Sequence, residues 1–237
     1  MKELHICPDA TGVARTVAQE MLSVLATIQE QGRDPHLVLT GGTIADKIHQ
    51  EVARLSPDSG VDWTRVVVWW GDERFVAPDS DDRNALHARR DLLGPVGATQ
   101  VHEMPSTDDA SSVDEAAKMY AATLREHGPD RFDLVMLGLG KNGHVASLMP
   151  HKPTLDVTDA STVGVPDSPK PPPTRVSMTF PRLNATASLW FVVSGEDKAQ
   201  AVAHATAPEG DVHETPARGI DVPDTVWYVD EAAASLA

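Results

Sequence analysis

The chain has one cysteine, Cys7, which excludes a disulfide framework and any zinc site built from several thiolates. A lone thiol fits a reducing compartment. No apolar run approaches the roughly 18 residues of a membrane span, and the opening MKELHICPDA holds no apolar stretch of signal-peptide length. The expectation is a cytoplasmic protein with no membrane partner. Basic residues are scarce: 20 Lys and Arg stand against 35 Asp and Glu, a formal net charge of −15. A surface of that sign repels nucleic-acid backbones and anionic lipids, so nucleic acid is not an expected partner. It does not bar a small phosphorylated ligand, because a local cluster of cations can oppose the global sign. Sequence motifs are missing too. There is no H-E-x-x-H, no G-x-x-x-x-G-K-[ST] phosphate loop and no G-x-S-x-G nucleophile elbow. The ten histidines lack the spacing of metal ligands. Neither a metal nor an organic cofactor is expected.

What is present is a near-regular alternation of strand-like and helix-like segments along 237 residues. Val13, Val17, Met21, Leu25 and Ile28 fall at helical spacing over 11–31, with Gly32 as a stop. His36 to Thr40 reads as a short strand, and Ile44, Ile48, Val52 and Leu55 mark a helix ending near Pro57. VVVWW at 66–70 is the most β-prone run. Residues 84–93 read as helical, and Ser112-x-x-Glu115 matches a capping box before a helix that stops at Gly128. Phe132 to Leu137 is an apolar strand. After the proline-rich loop of 151–174, strands are expected at 175–180, 189–193 and 226–229, with a helix at 196–205 and a short helical tail. This order implies an α/β, Rossmann-like, doubly wound and mainly parallel sheet. We expect a single domain over 1–237, with a smaller lobe within 150–220.

Three of these strands run into polar turns. FDLVMLGLGKNGHVASLMP at 132–150 carries glycines at 138, 140 and 143 and then His144, where a short helix is expected to begin. An imidazole at a strand's carboxyl end sits where open α/β sheets bind ligands, and it is the side chain best suited to moving protons near neutral pH. Thr40-Gly41-Gly42-Thr43 offers free amides and hydroxyls at a helix start, which suits phosphate. Gly71-Asp72-Glu73-Arg74 brings a carboxylate and a guanidinium to the same edge. Arg175 opens a strand and Lys198 lies in the first turn of a helix. Taken singly, each also reads as a plain βα turn, a solvated loop or a surface cation. The run Gly138-Leu139-Gly140-Lys141-Asn142-Gly143 matches the dinucleotide fingerprint G-x-G-x-x-G, but Pro150 leaves no room for the long helix that fingerprint opens. The glycines suit a backbone approach to a compact anion instead.

LTGGT, GDERFV, GLGKNGHVASLMP, the strand opened by Arg175 and GEDKA, in this order, resemble the 6-phosphogluconolactonases, in the group that includes glucosamine-6-phosphate isomerase. The similarity runs from about residue 8 to 230. It implies hydrolysis of 6-phospho-D-glucono-1,5-lactone to 6-phosphogluconate in the oxidative pentose phosphate pathway, on a phosphorylated sugar lactone and without a cofactor. It places the catalytic histidine at His144, the arginine at Arg74 and its acidic neighbour at Asp72. Substrate contacts are implied at Gly41, Gly42, Thr43, Asn142, Arg175 and Lys198. The chain departs from the family pattern at Asn142, where an acid is usual, and at Val145 and Met149. Asn keeps the hydrogen-bond acceptor and loses the charge. The isomerase branch typically continues with Phe-Asn-Glu-Pro, whereas Ser147-Leu148-Met149-Pro150 carries no carboxylate, which favours the lactonase branch over an aminosugar phosphate isomerase/deaminase. A non-catalytic sugar-phosphate-binding protein has no need of His144. The expected assembly is a monomer or weak homo-oligomer.

Overall fold

The structure is a computed structural model that describes residues 3–237. Its elements in chain order are β1 (Glu3–Cys7), α1 (Ala10–Glu30), β2 (His36–Leu39), α2 (Thr43–Leu55), β3 (Val67–Trp70), β4 (Asp72–Arg74), α3 (Asn84–Ala88), α4 (Gly94–Val96), β5 (Gln100–Val101), α5 (Val113–His127), β6 (Phe132–Leu137), β7 (Thr162–Val165), β8 (Arg175–Met178), α6 (Phe180–Asn184), β9 (Thr186–Val193), α7 (Ala199–Thr206) and β10 (Thr225–Asp230). Seven strands form one sheet in the order β1-β10-β9-β6-β2-β3-β5, and every pairing in it is parallel. β4, β8 and β7 form a second, antiparallel sheet. The α/β, doubly wound class expected from the alternation is the class observed.

The local reasons are visible in the residues. Asp9 caps α1 by accepting the Gly12 N–H at 2.8 Å, and Val13, Val17, Met21, Leu25 and Ile28 all turn inward. Burying each such side chain is worth about 1.5–3 kcal/mol, which fixes α1 against α2 and the β1–β10–β9 side of the sheet. All four residues of β3 are buried, as a parallel strand covered on both faces requires. Ser112 caps α5 through the Glu115 N–H. The reciprocal half of the expected capping box is displaced by one residue, because the Glu115 carboxylate accepts from the Ser111 N–H and hydroxyl.

Other expectations need correction. The expected 84–93 helix holds as α3 only to Ala88, and the chain then widens into a π-type turn over Arg89–Leu93. The segment after His144 forms turns and an isolated bridge between Val145 and Leu148, not a helix, and the C-terminal tail after β10 is a series of turns. The polar run after VVVWW is itself a strand, β4, paired with β8. β7 lies inside the stretch read as loop. Within the large sheet the chain moves outward from β2 through β3 to β5, then returns to β6 on the other side of β2. The strand order therefore reverses between β2 and β6, which is where a crevice opens above an α/β sheet.

Candidate active site

A cavity of about 150 Å3 lies over that reversal. Thr40 and Gly41 reach it from the end of β2, Gly138, Leu139 and Gly140 from the end of β6, and Asp72 and Arg74 from β4 just beyond β3. The three polar turns thus converge, as their placement at strand ends predicted. His144, Lys170, Arg175 and Lys198 complete the charged lining. A second cavity of about 400 Å3 adjoins it across Gly41, Gly138, Leu139 and Lys198. Gly42 and Thr43 open into this neighbour and not into the cavity of His144. The α2 N-terminus there has no side-chain cap, so its first amides remain available to an anion.

His144 is held by its own turn. Gly140 N–H donates to the His144 carbonyl and Gly143 N–H to the Gly140 carbonyl, both at 2.9 Å. Gly143 sits at φ +77°, and a Cβ on Gly140 would lie 1.9 Å from His144 Nδ1. Glycine at 140 is therefore dictated by the closeness of the ring. The imidazole is 9% exposed. Its Nδ1 lies 2.5 Å from Asn142 Oδ1. An amide oxygen only accepts, so Nδ1 carries the proton and Nε2 is left as the basic nitrogen. Asn142 was expected to touch substrate. Its side chain instead fastens the imidazole from behind, and its other side faces a separate cavity shared with His151 and His204. Burial first, and then the charges of Lys170, Arg175, Lys198 and Arg74 in that order, push the His144 imidazole down to about 3. The ring is neutral at physiological pH.

The cations are placed by backbone contacts. Lys198 Nζ donates to the Leu139 carbonyl at 2.7 Å. Arg175 grips the proline loop, with Nε on the Pro172 carbonyl and Nη2 on the Lys170 carbonyl, each at 3.0 Å. Arg74 Nη1 donates to the Asp82 carbonyl at 2.6 Å. Arg74 and Arg175 are directly opposite across the β4–β8 ladder. Like charges in that relation repel, and an anion bound between them would offset the repulsion. Burial, and then the neighbouring Arg74, lower the pKa of Arg175, while Asp72 opposes them. Asp72 does not hold the imidazole: its Oδ2 accepts from Ser147 Oγ at 2.6 Å. Glu73 accepts three backbone N–H groups, of Arg74, Asn84 and Ala85, and so anchors β4 to the start of α3. Among the described residues no three His, Cys, Asp or Glu are grouped to hold a metal ion, and no helix is long and apolar enough to cross a membrane.

Two lining residues escaped the sequence reading. Lys170 stands in PDSPKPPPT, a loop with no periodicity to show where it folds back. Asn84 donates to the Asp72 carbonyl at 3.1 Å and packs so closely on Gly41 that a Cβ there would meet Asn84 Oδ1 at 1.8 Å. Its one sequence signal was its position at the start of a helix.

A doubly wound sheet with a neutral histidine and four cations at its switch point defines a cavity for a small anionic substrate with proton-transfer chemistry. The family described as glucosamine-6-phosphate isomerases/6-phosphogluconolactonase matches residues 8–227, and the chain belongs to it. A 6-phosphogluconolactonase of Streptomyces coelicolor is 34% identical over 244 residues, covering 98% of this chain and 94% of the relative. The crystal structure of a devB protein superposes with a TM-score of 0.86 at 27% identity, covering 99% of each chain. That of a 6-phosphogluconolactonase from Thermotoga maritima does so at 0.84 with 24% identity, covering 97% of this chain and all of the other.

Proposed function

We propose that the chain hydrolyses 6-phospho-D-glucono-1,5-lactone to 6-phospho-D-gluconate, the lactone-opening step of the oxidative pentose phosphate pathway. The observation that carries this reading is the neutral imidazole of His144, fixed as a base by Asn142, in a cavity with four cations. Full-length relatives named 6-phosphogluconolactonase support the choice of substrate. So does the absence of a carboxylate from Ser147 to Pro150. The whole chain acts as one α/β domain, and we place it in the cytoplasm as a monomer or weak homo-oligomer.

Water is the nucleophile. Nε2 of His144 takes a proton as the water oxygen bonds to C1, and the C1 carbonyl becomes an oxyanion. When the oxyanion collapses, the bond from C1 to the ring oxygen breaks and the imidazolium gives its proton to that oxygen. The acid so formed then ionises. Acid–base assistance of this kind is worth about 10² to 10⁴ in rate. The 6-phosphate lies away from the bond that breaks, so gripping it orients the lactone. Arg175 and Lys198 serve that grip. Arg74 stands opposite Arg175 across the β4–β8 ladder, a position that favours the phosphate over the oxyanion. Gly41, Gly42 and Thr43 extend the anion-binding wall.

The test follows 6-phosphogluconolactone by NMR with and without the protein, in chelator. The expected result is ring opening well above the spontaneous rate. A rate equal to the background overturns the reading, and ammonia released from glucosamine 6-phosphate replaces it with the isomerase/deaminase one.

A further inference from the structure

Four cations and one carboxylate, Asp72, line the cavity of His144, leaving three net positive charges. The proposed lactone brings a phosphate of about two negative charges near neutral pH. The tetrahedral species formed from it carries one more, on the C1 oxygen, and so does the carboxylate product. The cavity therefore matches the charge of the transition state and product, not that of the substrate, and such a mismatch speeds a reaction.

The extra charge can be assigned to a residue. Arg74 and Arg175 face each other across two strands, and Lys198 is tied to the Leu139 carbonyl. The Lys170 ammonium makes no hydrogen bond or ion pair among the described residues. Asp197, the carboxylate that favours its charged form, is paired with Lys141 at 3.2 Å. Lys170 is also the cation that acts most strongly on the His144 ring, and Arg74 is the one that acts least. Lys170 lines the same cavity as the base, which puts its unpaired ammonium in the space that holds the carbon attacked by the base's water. The loop holding Lys170 is fixed from below. Arg175 grips the Lys170 and Pro172 carbonyls, Ser168 N–H donates to the Pro173 carbonyl at 2.8 Å, and Lys170 N–H meets Ser168 Oγ at 3.4 Å.

We propose that Lys170 is a catalytic residue whose ammonium binds the C1 oxyanion and then the product carboxylate, while Arg74, Arg175 and Lys198 hold the phosphate. This rests on the lactonase reading above. No proton leaves Lys170 during the step; it supplies fixed charge where charge develops.

The experiment compares wild type with Lys170→Met and Lys170→Arg. It measures lactone turnover, and binding of two phosphorylated ligands that differ at C1: 6-phosphogluconate, which is charged there, and glucose 6-phosphate, which is not. Wild type is expected to bind 6-phosphogluconate at least about tenfold more tightly. Lys170→Met is expected to bring the two affinities within about twofold and to lower kcat by about 10² to 10³, with KM little changed. Lys170→Arg is expected to recover part of both. The carbonyl that Arg175 grips is backbone and survives either substitution, so the melting temperature stays put. If Lys170→Met weakens both ligands alike, Lys170 is a phosphate ligand and the proposal falls. Unchanged kcat in Lys170→Met also ends it, with the lactonase reading intact. A wild type that turns over no lactone defeats that reading itself, whatever Lys170 does.

Discussion

Asn142 Oδ1 lies 2.5 Å from His144 Nδ1, so the imidazole at the centre of this cavity is oriented by a neutral amide. An amide fixes the tautomer as a carboxylate does, but it gives no charge to stabilise the imidazolium. Burial of the ring acts first, and the four cations around it add to that effect. All of this favours the neutral, basic ring. Asn142→Asp puts a negative charge against the ring. An opposite charge in contact raises the pKa of a cationic group by about 1–3. The histidine acts in its deprotonated form, and activity is lost as pH falls through its pKa. The acid limb of the kcat profile is therefore expected to move to higher pH by a similar amount in Asn142→Asp. Asn142→Leu removes the acceptor and is expected to lower kcat by about 10-fold to 100-fold, part of what acid–base assistance supplies. Identical pH profiles for Asn142→Asp and wild type would show that residue 142 does not govern the ring.

The close approach of Gly140 to the same ring gives a steric test. A methyl group at 140 overlaps His144 Nδ1 at 1.9 Å, and the ring must shift. Misplacing a reacting group by about 1 Å costs about 100-fold. Gly140→Ala is expected to lose about that much kcat while KM for the phosphorylated lactone and the melting temperature stay near wild type. A fully active Gly140→Ala protein would mean that His144 does not work from this position.

The phosphate grip is tested by Arg175→Ala and Lys198→Ala. A hydrogen bond to a charged group contributes about 1.5–3 kcal/mol, so each change is expected to raise KM by about 10-fold to 100-fold and to disturb kcat less. Arg175→Ala also frees the proline loop at Pro172 and Lys170, and its loss is expected to be the larger. Steady-state assays with circular dichroism as a check on folding decide the matter. Unmoved KM in both variants places the phosphate elsewhere, with the α2 N-terminus at Gly42 and Thr43 the next location to probe.

Strand-end chemistry was legible in the sequence because it is local. An apolar run followed by glycine and a polar residue marks both the strand and the edge where it ends, so LTGGT, GDERF and GLGKNGH point to one crevice. What was not legible depended on tertiary contact. β4 has three residues, too few to show a period of two, and is a strand only because β8 lies beside it. Lys170 is brought to the cavity by Arg175 holding its loop from below, which no neighbour in the sequence announces. Asn142 is implied as a substrate contact, but its side chain lies behind the imidazole, because that depends on which way a short turn points its amide. Asp72, implied at the site as the acidic neighbour of Arg74, accepts instead from Ser147, 75 positions away. His144 was expected to start a helix; the glycines instead close a turn on its own carbonyl.

The last prediction concerns stability away from the cavity. His49 on α2 is buried at 1% exposure, and neither ring nitrogen has a hydrogen-bond partner among the described residues. Burial is the main cause that pushes it down to about 4 from 6.5. A histidine whose folded value is lowered stays neutral in the fold and binds a proton more readily when unfolded. Its contribution is therefore fully present above about pH 6.5 and declines as pH falls toward about 4, below which the loss levels off. A shift of that size corresponds to about 3 kcal/mol. His49→Leu removes the titration and the unsatisfied nitrogens with little change of volume. It is expected to raise the melting temperature at pH 7 and to raise it further at pH 5, since a buried polar group without a partner costs about 1–3 kcal/mol. Thermal unfolding at both pH values checks this: a melting temperature for His49→Leu below that of wild type at pH 5 would mean that the ring has found a partner.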